Sequence, residues 1–570
     1  MSTDTVAPTL IFYMAKGREA QFFGAKVQRI IDKRAKKRII SQKKADNNPV
    51  LKKKDYLCAN KNRIKSVKTF ISRNLIQGLV LPLCFSSTAL SAADKKIVVL
   101  ADTHVMAPAL LDDPGNKEWQ TYLKTCKTMQ DLSVPIFDTM VEKIIAEKPD
   151  RLLIVGDLTK DGEVESHQYV LEKLTKIKDS GIKLYVIPGN HDRGWMQRAL
   201  VYANDTSTPA TQIDNDRFGE LYADYGYGGD TERYEGSLTY KAQLFPGLTL
   251  FGIDSGIWCT FREGCIDWVC DEARKEQEKG NQVIVMMHHT VMPHYYYQNN
   301  IFELSVPEDY EEIRQKFTAA GIKVVLSGHS HASDIARFTD SQGNELYDIN
   351  TGSPISYPCD YRTLTFDDQF NTLKITTNSL TKLDGFEDFP AYAKERLKTS
   401  VQNWTKKWFR EKTEGTIYAP DDEQSEEEEE EEGSDNLLAS VLSQSLANCF
   451  TVFAEGNESR NPESKVDVIM FDDLLYFIQR FDIDEVKLIE DISLSMKSVL
   501  GDYPNEAEKD NIVDDRELTI QMPSLTSGIS DIPTADSSDD CWFTLQGTRL
   551  EQKPSRQGVY IHNGRKVIIR

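Results

Sequence analysis

The chain contains little histidine and cysteine, and it has fewer basic than acidic residues. Nine histidines and nine cysteines occur among 570 residues, and no two cysteines have the Cys-x-x-Cys spacing that is typical of structural zinc sites. With 89 Asp and Glu against 68 Lys and Arg, the formal net charge is −21. This composition argues against a cysteine-based zinc protein and against nucleic-acid binding, except for a nucleotide as a small substrate.

The basic residues that are present concentrate near the start of the chain. Residues 1–75 hold 19 Lys and Arg but only 5 Asp and Glu. An apolar run from Leu75 to Phe85 comes next, and small residues fill Ser86 to Ala93. This order is typical of a secretory signal, with cleavage near Ser91 or Ala93. The apolar core is shorter than the roughly 20 residues of a spanning helix, and a membrane anchor is the alternative.

Residues 1–50 precede that signal and have two interpretations. Either translation begins later, near Val50 or Leu51, or the segment is a disordered basic extension. In both cases residues 51–93 would engage the export machinery. We therefore expect an exported protein, located in the periplasm, on the outer-membrane surface or in the medium.

Five short apolar runs are each followed directly by side chains that bind metal ions well. Six of the nine histidines fall in these segments. Histidines scattered through a core would not show that concentration, so the pattern predicts a metal site. The segments are Lys96–His104, Leu152–Asp157, Leu184–Asp192, Val283–His289 and Val324–His331.

The apolar runs also predict how this site is assembled. Continuous apolar stretches suit strands that are buried on both faces, and open α/β sheets bind ligands outside their strand ends. We therefore expect the polar clusters to converge at one sheet edge. In Asp102-Thr-His104 and His329-Ser-His331, extended backbone would point both chelating side chains the same way. Glycines that permit close backbone approach precede three of the clusters, namely Gly156, Gly189 and Gly328.

The order Asp-x-His, Gly-Asp, Gly-Asn-His-Asp, His-His and Gly-His-x-His resembles the calcineurin-like metallophosphoesterase family, from about Lys95 to Gly385. The resemblance implies an α/β fold, a β-sandwich of two mixed sheets flanked by helices. It also implies two divalent metal ions. Carboxylate, imidazole and amide ligands without thiolates suit Mn, Fe, Zn or Co. The implied ligands are Asp102, His104, Asp157 and His331 for one ion, and Asn190, His288, His329 and again Asp157 for the other.

Four further positions are interpreted through the same resemblance. His288 is preferred to His289 as the ligand because the family's ligand directly follows the strand. His191 is assigned to stabilising or protonating the leaving-group oxygen, oriented by Asp192; the alternative is that His191 only fixes Asn190. Lys160 stands where purple acid phosphatases have a tyrosine, so an iron–tyrosinate colour is not expected. The stretch Gly156–Gly162 is similar to that of bacterial phosphohydrolases.

These features predict an exported, dinuclear-metal-dependent phosphohydrolase that cleaves phosphate mono- or diesters. Two metal ions lower the pKa of water and neutralise charge during in-line attack at phosphorus, so no Ser or Cys nucleophile is required. One alternative is a nucleotidase-type monoesterase. Another is a non-catalytic surface binding protein that retains the fold, which the complete set of ligands opposes.

The segments between the motifs should form helices and the mouth of the site. Helical spacing of apolar residues predicts helices over Ile136–Ile145 and Tyr169–Ile177. Two tyrosine-rich insertions, Arg193–Leu238 and Trp258–Tyr297, would either stack on a substrate or serve as packing. Arg362, after the predicted strand Leu346–Thr351, is a candidate for the phosphate.

Cysteine spacing and composition complete the predictions. Export permits disulfides, and Cys259, Cys265 and Cys270 are close enough in sequence for one pair. The predicted domain order is 1–50 basic extension, 51–93 signal, 94–385 metallophosphoesterase domain, 386–425 helical extension, 426–435 glutamate-rich linker, 436–501 helical region, 502–540 loose linker and 541–570 short β tail. The tail would be either a sorting signal for the outer membrane or a closing hairpin.

Overall fold

A computed structural model describes residues 94–194, 198–229, 231–295, 298–301, 304–413, 437–456, 494, 514–524, 542–544, 549–550, 554, 558–562 and 565–569. The predicted basic extension, secretory signal and glutamate-rich linker lie outside these residues. Within the described part of the chain, no helix is both long enough and apolar enough to cross a membrane.

Helices and strands alternate through most of the described chain. The α-helices are α1 (Lys117–Thr125), α2 (Ser133–Glu147), α3 (Val164–Asp179), α4 (Asn215–Leu221), α5 (Cys265–Glu278), α6 (Gln298–Ile301), α7 (Tyr310–Ala319), α8 (Phe389–Thr413) and α9 (Leu437–Glu455). Helices α2 and α3 contain the two predicted helical segments, which confirms that prediction. In α2 the apolar residues at helical spacing, Ile136, Met140 and Ile144, are all buried.

The strands form two large mixed sheets and two small ones. The strands are β1 (Lys95–Leu100), β2 (Arg151–Val155), β3 (Lys183–Ile187), β4 (Leu200–Ala203), β5 (Thr206–Pro209), β6 (Thr231–Arg233), β7 (Tyr240–Phe245), β8 (Leu248–Ile253), β9 (Gln282–Met287), β10 (Val324–Ser327), β11 (Ile335–Thr339), β12 (Glu345–Asn350), β13 (Asp360–Phe366), β14 (Thr372–Ser379), β15 (Glu517–Gln521), β16 (Trp542–Thr544), β17 (Arg549–Leu550), β18 (Gly558–His562) and β19 (Arg565–Ile569).

The six-stranded sheet has the order β15-β14-β13-β1-β2-β3, and the seven-stranded sheet has the order β11-β12-β10-β9-β8-β7-β6. Strands β1, β2 and β3 run parallel, as do β8, β9, β10 and β12. The seven-stranded sheet thus has a parallel centre and antiparallel edges, whereas the six-stranded sheet is antiparallel on one side and parallel from β1 to its β3 edge. The mixed α/β architecture with two sheets flanked by helices is the fold class that the resemblance implies.

Strand β9 illustrates why continuous apolar runs occupy these parallel centres. Ile284 and Met286 belong to the main core, whereas Val283, Val285 and Met287 pack with helices α5 and α7. Successive side chains of a strand point to opposite faces, so a strand covered on both sides must be apolar at every position.

The two large sheets are joined by hydrogen bonds in addition to apolar packing. The Tyr240 hydroxyl in β7 donates to the carbonyl of Val186 in β3 at 3.0 Å. The Arg151 guanidinium in β2 donates through Nε to the carbonyl of Leu244 in β7, also at 3.0 Å. These two bonds hold the antiparallel strand β7 of one sheet against the parallel strands β2 and β3 of the other.

The prediction of a loose linker over residues 502–540 is wrong for Glu517–Gln521. Strand β15 lies there and pairs antiparallel with β14, from Glu517 opposite Thr376 to Gln521 opposite Thr372. Ile520 of this strand is buried in the main core. The Asp-, Ser- and Pro-rich flanks concealed a short Leu-Thr-Ile run that satisfies the open edge of β14. The predicted β tail is present as a four-stranded sheet formed by β16 to β19.

The suggested pairing among Cys259, Cys265 and Cys270 is not found, since all three are free and buried. Cys265 and Cys270 both lie in helix α5. Five residues of helix span about 7.5 Å along the axis, which exceeds the separation that a disulfide bridges.

Candidate metal centre

The chelating residues follow the carboxyl ends of five parallel strands. Asp102 and His104 follow β1, Asp157 follows β2, and Asn190 follows β3 in the six-stranded sheet. His288 follows β9, and His329 and His331 follow β10 in the seven-stranded sheet. The expectation of one sheet edge is thus corrected, because two sheets contribute. All seven predicted ligands are nevertheless brought to one place.

The backbone at this place is not extended, which corrects the predicted reason for the Asp-x-His and His-x-His geometry. Asp102, His104, Asp157, His329 and His331 all have φ between 39° and 71°. The left-handed region costs an ordinary residue roughly 1–3 kcal/mol and persists only where the surroundings impose it. Here hydrogen bonds impose it, since Asp102 N donates to the Gly156 carbonyl at 3.1 Å and His104 N to the Asp157 carbonyl at 2.9 Å.

The first donor group, meaning a set of atoms that could bind one metal ion, comes from Asp102, His104 and His331. Their ligand atoms lie within 4.8 Å of one another. The Nε2 atoms of His104 and His331 are 3.1 Å apart. Asp102 Oδ1 lies 3.4 Å from His331 Nε2. Asp157 Oδ2 lies 3.5 Å from His104 Nε2, so Asp157 also borders this group.

The second group comes from Asp157, Asn190, His288 and His329. His288 Nδ1 donates to the Val155 carbonyl at 2.9 Å, which leaves the lone pair of the neutral ring on Nε2. That Nε2 lies 3.0 Å from the Asn190 amide oxygen and 3.2 Å from Asp157 Oδ2. Lone pairs that converge at such distances repel unless a cation lies among them, so these residues fit a bound metal ion.

Burial and nearby charges shift the pKa values of the imidazoles in ways that suit metal binding. It lowers the pKa of His104 and of His329 well below the usual value, which keeps both rings neutral. Burial acts in the same direction on His288, but the Asp157 carboxylate outweighs it and raises the pKa of His288 to about 9. The charge that favours a proton at this nitrogen equally favours a divalent cation. Asp157 reaches both groups and is therefore the residue that would be shared by two ions.

His191 lies beside the first group, and one of its ring nitrogens is within 4.8 Å of ligand atoms of His104 and Asp157. Its backbone N–H donates to Asp157 Oδ1 at 2.7 Å. Its ring donates through Nδ1 to Asp161 Oδ1 at 2.8 Å, and the Lys160 carbonyl is equally near. Nε2 is consequently the ring nitrogen that remains for a substrate.

The prediction that Asp192 orients the His191 ring is wrong. Asp192 is fully buried, and its oxygens accept from Thr159 N at 2.9 Å and from Gly189 N at 2.8 Å. It ties together the turns after β2 and β3 and does not contact the His191 ring. Burial, together with the Asp157 charge, raises the pKa of Asp192 to about 6.

Asp161 is the site residue that the motifs did not reveal. It belongs to the stretch Gly156–Gly162 used above for comparison, but no motif assigned it a role. Its second oxygen pairs with the Lys160 ammonium. Although burial raises the pKa of the Asp161 carboxyl, Lys160 and His191 outweigh burial and lower it. The only signal in the sequence was a carboxylate close to the metal-binding Asp157.

The other candidates near the site have structural roles. Arg362 is fully buried and donates to the Asn350 and Asp515 carbonyls, so it does not face a phosphate. His289 donates to or accepts from the Ser255 hydroxyl at 2.7 Å and belongs to neither donor group. Packing accounts for most of the described tyrosines in the insertions, since Tyr202, Tyr222, Tyr225, Tyr227 and Tyr295 are buried. Tyr296 and Tyr297 lie outside the described residues.

A buried histidine next to the site should make stability depend on pH. His294 lies between the carboxylates of Asp334 and Asp348, and its Nε2 is 3.4 Å from Asp348 Oδ2. Burial lowers its pKa, but the two carboxylates outweigh burial and raise it to about 10. The stabilisation is complete below the unfolded pKa of 6.5 and disappears as pH rises to 10. We expect up to about 1.4 kcal/mol per pH unit between these values.

Urea unfolding of the wild type and of His294→Gln at several pH values measures this contribution. The difference in the free energy of unfolding between the two proteins should shrink steadily as pH rises. His167→Gln is the matched control, because burial lowers the pKa of His167 to about 4. Its difference from the wild type should be constant above pH 6.5, and a constant difference for His294→Gln would contradict the assignment.

The chain is similar to one family model and to several solved structures. Residues 95–333 match the family model described as calcineurin-like phosphoesterase. No curated protein matches the chain. Among solved structures, a dimetal phosphatase from Danio rerio is similar at 13% identity, over 50% of this chain and 96% of that one, with a TM-score of 0.35. The sulfate thiohydrolase SoxB from Thermus thermophilus, in complex with glycerol, is similar at 12% identity, over 58% of this chain and 62% of that one, with a TM-score of 0.28.

The family match and the converging donor atoms cover the same part of the chain. Six of the seven donor residues of the two groups carry imidazole or carboxylate ligand atoms, and all seven lie within the matched segment. Residues 95–333 therefore match the calcineurin-like phosphoesterase family, and the converging ligand atoms within this segment support a metal-dependent hydrolase.

Proposed function

We propose that the centre hydrolyses phosphate esters and that His191 serves the leaving group. The observation that carries this proposal is the unequal exposure of the site. The side chains of His191 and His331 are 25% and 24% exposed, whereas those of Asp102, Asp157 and His288 are at most 1% exposed. A substrate would therefore approach from the side of His191 and His331.

Different residues have different roles in the proposed reaction. When bound, divalent ions would supply positive charge against the phosphoryl oxygens and lower the pKa of water. Asp157 faces both donor groups through Oδ2, while its Oδ1 is held by the His191 N–H. Asp161 holds Nδ1 of His191, so a proton carried on Nε2 would go to the departing oxygen. Such general acid catalysis contributes roughly 10²–10⁴-fold.

The charge balance around the centre favours phosphate diesters. Among the described residues, Lys160 and Arg193 are buried cationic side chains that follow ligand segments, and each is paired with a carboxylate. Lys160 pairs with Asp161, and Arg193 pairs with Asp254 through two hydrogen bonds of 3.0 and 3.1 Å. Neither has spare charge for the second negative charge of a monoester. We infer that monoanionic diesters are the better substrates.

Hydrolysis of bis-p-nitrophenyl phosphate and of p-nitrophenyl phosphate tests the proposal. The full chain would be assayed with Mn²⁺, Zn²⁺ or a chelator, and the Asp157→Asn protein purified in parallel would reveal contaminating activity. We expect metal-dependent turnover, faster with the diester. Preference for the monoester would instead indicate a nucleotidase-type enzyme. No turnover despite bound metal would refute ester hydrolysis and favour a binding protein.

We also propose that the protein is exported, on the basis of the basic, apolar and small-residue order within residues 51–93. Cell fractionation followed by sequencing of the mature amino terminus tests this. A soluble exported form that begins near residue 92 or 94 is expected. An uncut chain retained in the membrane fraction would favour the anchor, and a chain found only in the cytoplasm would refute export.

A further inference from the structure

The loop that carries His329 and His331 rests on a polar network supplied from far along the chain. Asp515 is fully buried, and its Oδ1 accepts a hydrogen bond of 2.9 Å from the backbone N–H of Ile335. Ile335 begins β11, directly after the metal-binding loop. A residue far beyond the matched segment 95–333 therefore holds the exit of that loop.

A second connection runs through the buried guanidinium of Arg362. Arg362 Nη1 donates to the Asp515 carbonyl at 2.6 Å, and Nη2 donates to the Asn350 carbonyl at 2.7 Å. The Asn350 side-chain amide donates in turn to the Gly328 carbonyl at 2.7 Å and to the Ser330 hydroxyl. A buried cation is stable only when its donors are satisfied, so the Asp515 carbonyl stabilises Arg362. Arg362 in turn holds the backbone of Asn350, whose amide contacts the loop on both sides of His329.

A third connection begins at Arg516. Its Nη1 donates to Asp360 Oδ2 at 2.9 Å, and the same oxygen accepts the Ser333 hydroxyl at 2.9 Å. Asp360 is fully buried, so its charge needs Arg516 as a partner. The chain therefore links Arg516 to Ser333, two residues after His331. Gly456, at the end of α9, packs so closely on the Ser333 carbonyl that an added Cβ would lie 2.4 Å from it.

Strand pairing explains how this distant segment reaches the loop. Strand β15 extends the six-stranded sheet beyond β14, and Thr377 N donates to the Arg516 carbonyl at 2.7 Å. The pairing fixes Asp515 and Arg516 beside β13 and β14, where Asp360 and Arg362 lie. The register of a sheet edge thus determines which side chains are placed beneath the metal-binding loop.

We propose that Asp515 and Arg516 are positioning residues for the metal-binding loop. They do not contact the donor atoms; they hold the backbone that keeps His329 and His331 in the left-handed region, where both imidazoles reach their donor groups. The inference deepens the proposed function and rests on it only for the identity of the site. Because metal affinity is measured without substrate, failure of the ester-hydrolysis proposal would leave the following test intact.

Mn²⁺ titration calorimetry of the full chain tests the proposal. Asp515→Ala removes the acceptor for Ile335 N and should raise the Mn²⁺ dissociation constant by about 10–100-fold, the usual effect of removing a residue that orients a ligand. Asp515→Asn keeps an oxygen acceptor at Oδ1 and should restore most of the affinity. Thr519→Ala, an exposed change on the same strand, should leave affinity unchanged.

A destabilising control separates positioning from stability. Ile520→Ala removes a buried side chain from β15 without touching the loop network, so it should lower the melting temperature and leave Mn²⁺ affinity unchanged in the folded protein. Equal Mn²⁺ affinities for Asp515→Ala and Ile520→Ala, measured well below their melting temperatures, would overturn the proposal. If Asp515→Ala does not fold, Arg516→Ala decides, because it removes the guanidinium that holds Asp360: weakened Mn²⁺ binding supports the proposal, and unchanged binding overturns it.

Discussion

The variant Asp157→Asn should lose metal-dependent hydrolysis by about 10³-fold and should no longer retain two ions. Asp157 Oδ2 faces His104 Nε2 at 3.5 Å and His288 Nε2 at 3.2 Å, so one carboxylate oxygen borders both donor groups. A neutral amide cannot balance two cations. Removing one partner from a buried charge arrangement costs about 3–5 kcal/mol, which corresponds to roughly 10²–10⁴-fold in rate. Measurements of kcat/KM and of bound metal by mass spectrometry would test this expectation.

Asp224→Asn is the matched control for that substitution. Asp224 is exposed and pairs with Lys178 at 2.5 Å, away from the donor groups. Exposed ion pairs contribute little to stability, so turnover and metal content should remain those of the wild type. Normal turnover of Asp157→Asn with two ions bound would show that Asp157 is not the shared ligand.

The second large effect is expected for His191→Ala, with a dependence on the leaving group. If Nε2 of His191 protonates the departing oxygen, kcat should fall by roughly 10²–10⁴-fold for an ester of phenol. The fall should be much smaller for an ester of p-nitrophenol, because this alcohol departs without a proton. The ratio of the two rates, measured at saturating Mn²⁺, reports the role of His191. An equal fall for both esters, together with lost metal, would instead mean that His191 only fixes Asn190.

Comparison of two aspartates tests how His191 is oriented. Asp161→Asn should change the leaving-group ratio in the same direction as His191→Ala, because Asp161 Oδ1 receives the Nδ1–H bond of 2.8 Å. Asp192→Asn should lower the melting temperature and leave that ratio unchanged, since Asp192 joins two turns. The opposite pattern would restore Asp192 as the partner.

The difference between these two aspartates shows where sequence reasoning failed. Asp192 is adjacent to His191 in the chain, which made it the natural choice. Adjacent residues after a strand point in different directions, however, and a hydrogen bond depends on which side chains face each other across the gap between turns. The turn after β2 brings Asp161 to the ring, and no spacing in a single segment encodes that approach.

The predictions that Arg362 faces a phosphate and that residues 502–540 form a loose linker failed for a related reason. Arg362 follows a predicted strand, as the candidate ligands do, but it lies within β13 and is enclosed by carbonyls of Asn350 and Asp515. Its environment includes a residue more than a hundred positions away in the chain. Sequence alone cannot show that a short Leu-Thr-Ile run within an Asp-rich stretch completes a distant sheet edge.

The amino-acid sequence by itself determined the parallel strands, the helices between them and the set of chelating residues. These features depend on local patterns: continuous apolar runs mark strands covered on both faces, helical spacing marks α2 and α3, and chelating side chains follow the strand ends. Only the tertiary structure decided that two sheets supply the ligands, that the backbone at the ligands is left-handed and that Asp161 orients His191. It also decided that Asp515 and Arg516 lie beneath the metal-binding loop. Those features depend on contacts between segments far apart in the chain, and their geometry exists only once the sheets have packed together.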